Sequence, residues 1–127
     1  MTNEQMRIAI AEVCGWSHSP LSKGKWCHDS NLSMAKNGAY SVWVGLDSLP
    51  DYLNDLNAMH EAEELLLPDD AAYSQRNFYA SELGRICLND NGRGWKPLSN
   101  DDCFPILHAT ARQRAEAFLK TLNLWKP

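Results

Sequence analysis

The sequence predicts an α+β fold: a small sheet of about three to four strands packed, sandwich-like, against about four helices. Three observations point there. Two Thr-x-x-Gln boxes each open an apolar stripe of helical period, at Thr2 and at Thr110. One run, Tyr40 to Leu46 (YSVWVGL), is β-branched and aromatic, as strands are. A chain of 127 residues fits one domain with its own core, so residues 1–127 are read as a single unit.

The first helix is capped by Thr2, with Gln5 as the box partner, and runs to about Cys14, where Gly15 stops it. Met6, Ala9, Ile10 and Val13 form its buried face. Ile8 points the opposite way and can mark a partner-facing side. Residues 16–48 are punctuated by Ser-Pro, Lys-Gly and Asn-Gly. Within them Tyr40–Leu46 is the clearest strand, and Lys25–His28 (KWCH) is its expected antiparallel partner across a loop through Asn37-Gly38.

A second helix is expected from Ser48-Leu49-Pro50, with proline in the first turn and Asp51 beside it, up to Pro68. Leu49, Leu53, Leu56, His60 and Leu67 share one face, widened by Tyr52, Met59, Glu63 and Leu66. A third helix follows Asp69-Asp70, with Ala72, Arg76, Tyr79, Leu83 and Ile86 along one side. Antiparallel packing of these two would let Arg76 pair with Glu63. The last stretch, from Cys103 to Trp125, reads as a buried apolar strand over Phe104–Leu107 feeding a core helix. Thr110 and Gln113 cap that helix, and Ala111, Ala115, Phe118, Leu122 and Trp125 form its buried stripe.

Composition excludes several functions. A formal charge of −4 argues against general nucleic-acid binding, which needs a basic face. No apolar run approaches the roughly 20 residues that cross a bilayer, and the opening residues do not form a signal peptide. Cys14, Cys27, Cys87 and Cys103 show no CxxC spacing and are read as reduced, mostly buried thiols of a cytoplasmic protein. Cys14, His18, Cys27 and His28 do not match a structural zinc framework, so no metal or other cofactor is expected. Five tryptophans stand out and serve as core, as subunit contact or as a stacking surface.

Three constellations bear on chemistry. His60 and Glu63, three apart on one helix, are either a histidine satisfied by a neighbouring acid or a general acid/base pair in a pocket. The segment Asn89 to Pro97 (NDNGRGWKP) carries Arg93, Trp95 and Lys96 between and after two glycines. Glycine permits an anion-cradling backbone and arginine a planar fork, although a hairpin turn explains the same composition. The start of the last helix adds Arg112 and Arg114, on either side of the buried stripe, to the free N–H groups of Thr110 to Gln113, where an anion can sit, unless Arg112 pairs with Glu116 one turn on. Trp43 is a further stacking candidate.

Leu49–Leu66 (LPDYLNDLNAMHEAEELL), Ala109–Leu122 (ATARQRAEAFLKTL), IAEVCGW ending at Trp16 and Tyr79–Cys87 (YASELGRIC) together resemble the phage ABA sandwich domain family. Residues 17–47 depart from that pattern. The resemblance implies a sheet packed on helices and a small phage or prophage accessory protein acting in the host bacterial cytoplasm. It carries over no catalytic residues. Small phage proteins without an enzyme signature are often binders, by analogy of setting alone. The expectation is therefore a non-enzymatic protein that sequesters a small anionic ligand, nucleotide immune signals among the candidates, to counter host defence. Its ligand-binding residues would be Arg93, Trp95, Lys96, Arg112 and Trp43. The alternatives are a protein–protein inhibitor of a host or defence protein and a small hydrolase using His60 and Glu63. The tryptophan count and the off-face Ile8 favour a homo-oligomer.

Overall fold

The computed structural model describes residues 1–19, 24–31, 43–67, 75–88 and 100–127. Within them the order is α1 (Asn3–Val13), β1 (Trp16–His18), β2 (Lys25–His28), β3 (Val44–Gly45), α2 (Leu56–Glu63), α3 (Gln75–Cys87), α4 (Asn100–Leu107) and α5 (Ala111–Thr121). Short 3₁₀ turns occupy Asp29–Asn31 and Leu46–Ser48. The fold is the expected α+β arrangement, a small antiparallel sheet with helices. No described helix is long and apolar enough to cross a membrane.

Both capping boxes form. The Thr2 hydroxyl accepts from the Gln5 amide, and the Gln5 side chain accepts in return from the Thr2 amide. Thr110 and Gln113 repeat this at α5. Gly15 takes φ +95° directly after α1, a left-handed conformation that glycine adopts without a Cβ clash. At the other end of α5 Asn123 sits at φ 58°, and two amides turn back: Asn123 N–H to the Lys120 carbonyl at 3.2 Å and Leu124 N–H to the Leu119 carbonyl at 2.8 Å. That is a Schellman closure with asparagine in the glycine position. It reverses the chain, and the Met1 amino group donates to the Lys126 carbonyl at 2.9 Å.

The sheet order is β1-β2-β3. Of the expected Tyr40–Leu46 strand, Val44–Gly45 pairs with KWCH as expected, Lys25 opposite Gly45 and Trp26 opposite Val44; Leu46 begins a turn, and residues 40–42 and the Asn37-Gly38 loop lie outside the described residues. β1 was not anticipated. It pairs with β2 in the register Trp16–His28, Ser17–Cys27 and His18–Trp26. Alternation places two Trp–His pairs on one face, each packed edge to face with ring centroids 5.3 and 5.0 Å apart.

α5 is the central element and touches α1, α2 and α3. Phe118, Met6, Ile10, Met59 and Leu119 are all fully buried, each contributing about 2–3 kcal/mol of apolar transfer. Its stripe of Ala111, Ala115 and Phe118 is sealed as expected, with Leu122 and Trp125 half-buried. Ala117 and Leu119 are also fully buried, so the helix is covered on more than one side. Two expectations are corrected. Phe104–Leu107 is not a buried strand but the end of α4, with Pro105 inside the helix and Phe104 and Leu107 largely exposed. The second helix starts at Leu56, capped by the Asp55 carboxylate, and not at Pro50. Its inward residues are Met59 and Ala62, followed by Leu66, whereas Leu56, His60 and Leu67 face outward. Asp55 takes the cap because its side chain accepts from the Asn57 and Ala58 amides, and the Pro50 segment instead closes a turn through Asp51.

Candidate functional site

Two features stand out from the packed core: a polar cluster where α2, α3 and α5 meet, and an apolar groove beside α1. In the cluster the Tyr79 hydroxyl donates to Glu63 Oε1 at 2.5 Å, and an Arg114 guanidinium nitrogen lies 3.4 Å from the same oxygen. Arg114 Nε also donates to the Ala109 carbonyl at 3.3 Å. The Glu63 and Arg114 side chains are only 19% and 15% exposed, so the pair is substantially desolvated. Burial, then the hydrogen bond to Glu63, raises the Tyr79 phenol well above its ordinary range. Burial also raises the Cys87 thiol, partly offset by Arg114. The cluster is closed on itself: carboxylate, phenol and guanidinium satisfy one another.

Several sequence expectations end here. Glu63 is committed to Tyr79 and Arg114, and His60 is exposed, so His60 and Glu63 form neither the satisfied histidine–acid contact nor the acid/base pair. Arg76 does not meet Glu63; its Nε donates to the Leu66 carbonyl at 2.9 Å. Arg112 does not pair with Glu116. Its guanidinium reaches the Asn3 side-chain oxygen, and Lys120 takes Glu116 at 2.8 Å. Arg7 spans from α1 to the Leu46–Ser48 turn, donating to the Leu49 carbonyl at 2.6 Å. Arg85 takes Glu82 at 2.9 Å. Arg7, Arg76, Arg112 and Arg114 thus each reach a separate segment of the chain, while Arg85 pairs within its own helix.

Of the other ligand-binding candidates, Arg93, Trp95 and Lys96 lie outside the described residues. Trp43 is half-buried and immediately precedes β3, while Arg112 is in the first turn of α5. Among the other tryptophans Trp26 is buried, Trp16 and Trp125 are half-buried, and Lys120 stands over the Trp125 ring at 5.4 Å. The described cysteines Cys14, Cys27 and Cys87 are free thiols. His28 spends both ring nitrogens on protein partners: Nδ1 accepts from the Ser30 amide and Nε2 donates to the Cys14 carbonyl. Burial raises the Cys14 thiol and the Tyr52 phenol, which hydrogen-bond to each other.

The groove is an open concavity of about 480 Å³. α1 contributes Gln5, Ile8, Ala9, Glu12 and Val13, and the reversed C-terminal tail contributes Leu124 and Lys126, with Met1 between. Ile8, Ala9 and Val13 are half-buried; Gln5, Glu12 and Lys126 are exposed at the rim. The sequence singles out Ile8 as partner-facing but sets Ala9 and Val13 on the opposite, buried face; the structure brings all three to this groove. The rest was hidden because the opposing wall comes from residues more than a hundred positions away, returned by the Asn123 turn.

No known family model, curated protein or solved structure matches this chain.

Proposed function

We propose that this protein acts by binding and not by chemistry, and that the α1 groove is where it takes up the apolar face of another polypeptide. The supporting observation is the groove itself: an apolar lining of Ile8, Ala9, Val13 and Leu124, with the polar Gln5, Glu12 and Lys126 exposed beside it. That anatomy, apolar centre and polar edge, is typical of protein interfaces. The expected ligand class shifts accordingly, because the described arginines are engaged in structural contacts and do not converge on an open pocket. The resemblance to phage accessory proteins supports placing the protein in a host bacterial cytoplasm.

The test is uptake of a hydrophobic fluorescent dye by the folded protein. Ile8→Arg should suppress dye binding while far-ultraviolet dichroism stays unchanged. Dye bound equally by both proteins removes the groove from the proposal.

A second reading, sequestration of a small anionic or nucleotide ligand, keeps one specific support. Lys25 lies opposite Gly45, which has no side chain, and the pleat carried one residue beyond β3 puts Trp43 on the same face as Lys25. A ring and a cation on one face suit a base and its phosphate. Calorimetry against cyclic and linear nucleotides should then give a signal that Trp43→Ala abolishes; silence across the panel in folded protein ends this reading.

A further inference from the structure

We infer that the polypeptide received by the α1 groove is a second copy of this chain, joined across a two-fold axis near the middle of α1. The inference rests on the groove being the binding surface and names its occupant. It is carried by the order of residues on the open face of the helix. Gln5, Ile8 and Glu12 follow one another at intervals of three and four, with Ala9 beside Ile8. This is the a/d-type stripe by which one helix packs on another.

The stripe is complementary to its own reverse. When two antiparallel copies of α1 meet with the axis between Ile8 and Ala9, each isoleucine faces the small alanine of the other copy. The same register sets Gln5 of one copy against Glu12 of its partner. Gln5 has already used its carbonyl oxygen, which accepts from the Thr2 amide at 2.8 Å. Its side-chain NH₂ is the group left pointing outward, a donor matched to a carboxylate acceptor. Large meets small and donor meets acceptor, each twice, as an isologous contact requires. Leu124 and Met1 extend the apolar margin, and Lys126 adds a cation on a surface that also carries Glu12.

One helix and a short tail per copy make a small interface, below about 1,200 Å² in total, so association is expected to be micromolar or weaker. Sedimentation velocity and light scattering over about a hundredfold range of concentration should show the mass rising from one chain toward two. Ile8→Arg should hold the protein at one chain. Gln5→Glu is the sharper variant. Glutamate at this position preserves the capping box, so the fold is kept, yet it sets carboxylate against carboxylate in both symmetric contacts. It should weaken association roughly tenfold. Adding Glu12→Gln restores a carboxylate–amide pair and should restore the wild-type affinity.

A single-chain mass at every concentration overturns the inference. So does self-association that neither Ile8→Arg nor Gln5→Glu changes. The dye experiment separates the two levels: a monomer whose groove still binds dye in an Ile8-dependent way loses only the second copy. A monomer that binds no dye loses the groove as well.

Discussion

At the scale of single residues, the Glu63–Tyr79–Arg114 cluster sets the strongest requirement. Three polar groups from three helices are brought together in a region that excludes most water. Such groups cost little when they satisfy one another and much when one is removed. Tyr79→Phe deletes the hydroxyl and leaves Glu63 with Arg114 alone, and should cost about 1–2 kcal/mol. Glu63→Gln removes the charge that Arg114 faces and should cost about 1–3 kcal/mol. Urea unfolding reads both as a lower midpoint at unchanged slope. If both changes are neutral, the cluster is incidental to stability. The sequence hinted at this site only obliquely. It raised Glu63 as a candidate but assigned it His60 or Arg76, since spacing along a helix says nothing of a partner such as Arg114, 51 residues on.

At the scale of elements, the two helix caps are legible from the sequence alone. Thr2 with Gln5 and Thr110 with Gln113 need only four consecutive residues, and both boxes form. The stripe of α5 is likewise a local periodicity. β2 and β3 were legible as a pair through their composition, whereas β1, three residues long, exists by virtue of its partner in β2. Phe104–Leu107 misled because a four-residue apolar run fits a strand and a helix equally well. The α2 start misled because proline and asparate near position 50 satisfy the same rule that Asp55 satisfies in fact. Two substitutions test the helices as units. Thr110→Ala removes the α5 cap and should cost about 1 kcal/mol. Gly84→Ala should do the reverse. An added Cβ would meet only the Ile106 side chain at 3.5 Å, an ordinary contact, so the gain in helix propensity of about 0.5–1 kcal/mol is expected to dominate. Thermal melting decides both; a destabilised Gly84→Ala protein would mean that α3 and α4 pack more tightly than this spacing implies.

At the scale of the whole molecule, two buried phenols link the fold to alkaline pH. Tyr52 and Tyr79 come from different parts of the chain, and both are raised in the native state, chiefly by burial. A group whose native pKa lies above its unfolded value contributes fully below the unfolded value, about 10 for tyrosine. The contribution is lost as pH climbs from there through the native value. Stability should therefore fall above about pH 10, and Tyr52→Phe with Tyr79→Phe should flatten the decline. Urea midpoints measured across that interval give the answer, and an equally steep fall in the double variant refutes it. The hydrogen bond from the Met1 amine to the Lys126 carbonyl has a different consequence. Met1 and Lys126 are thus neighbours on the margin of the α1 concavity. A bulky group attached to either side chain would crowd that margin. A small fluorophore placed there would instead act as a built-in reporter, changing colour or intensity when the space beside Ile8 is filled.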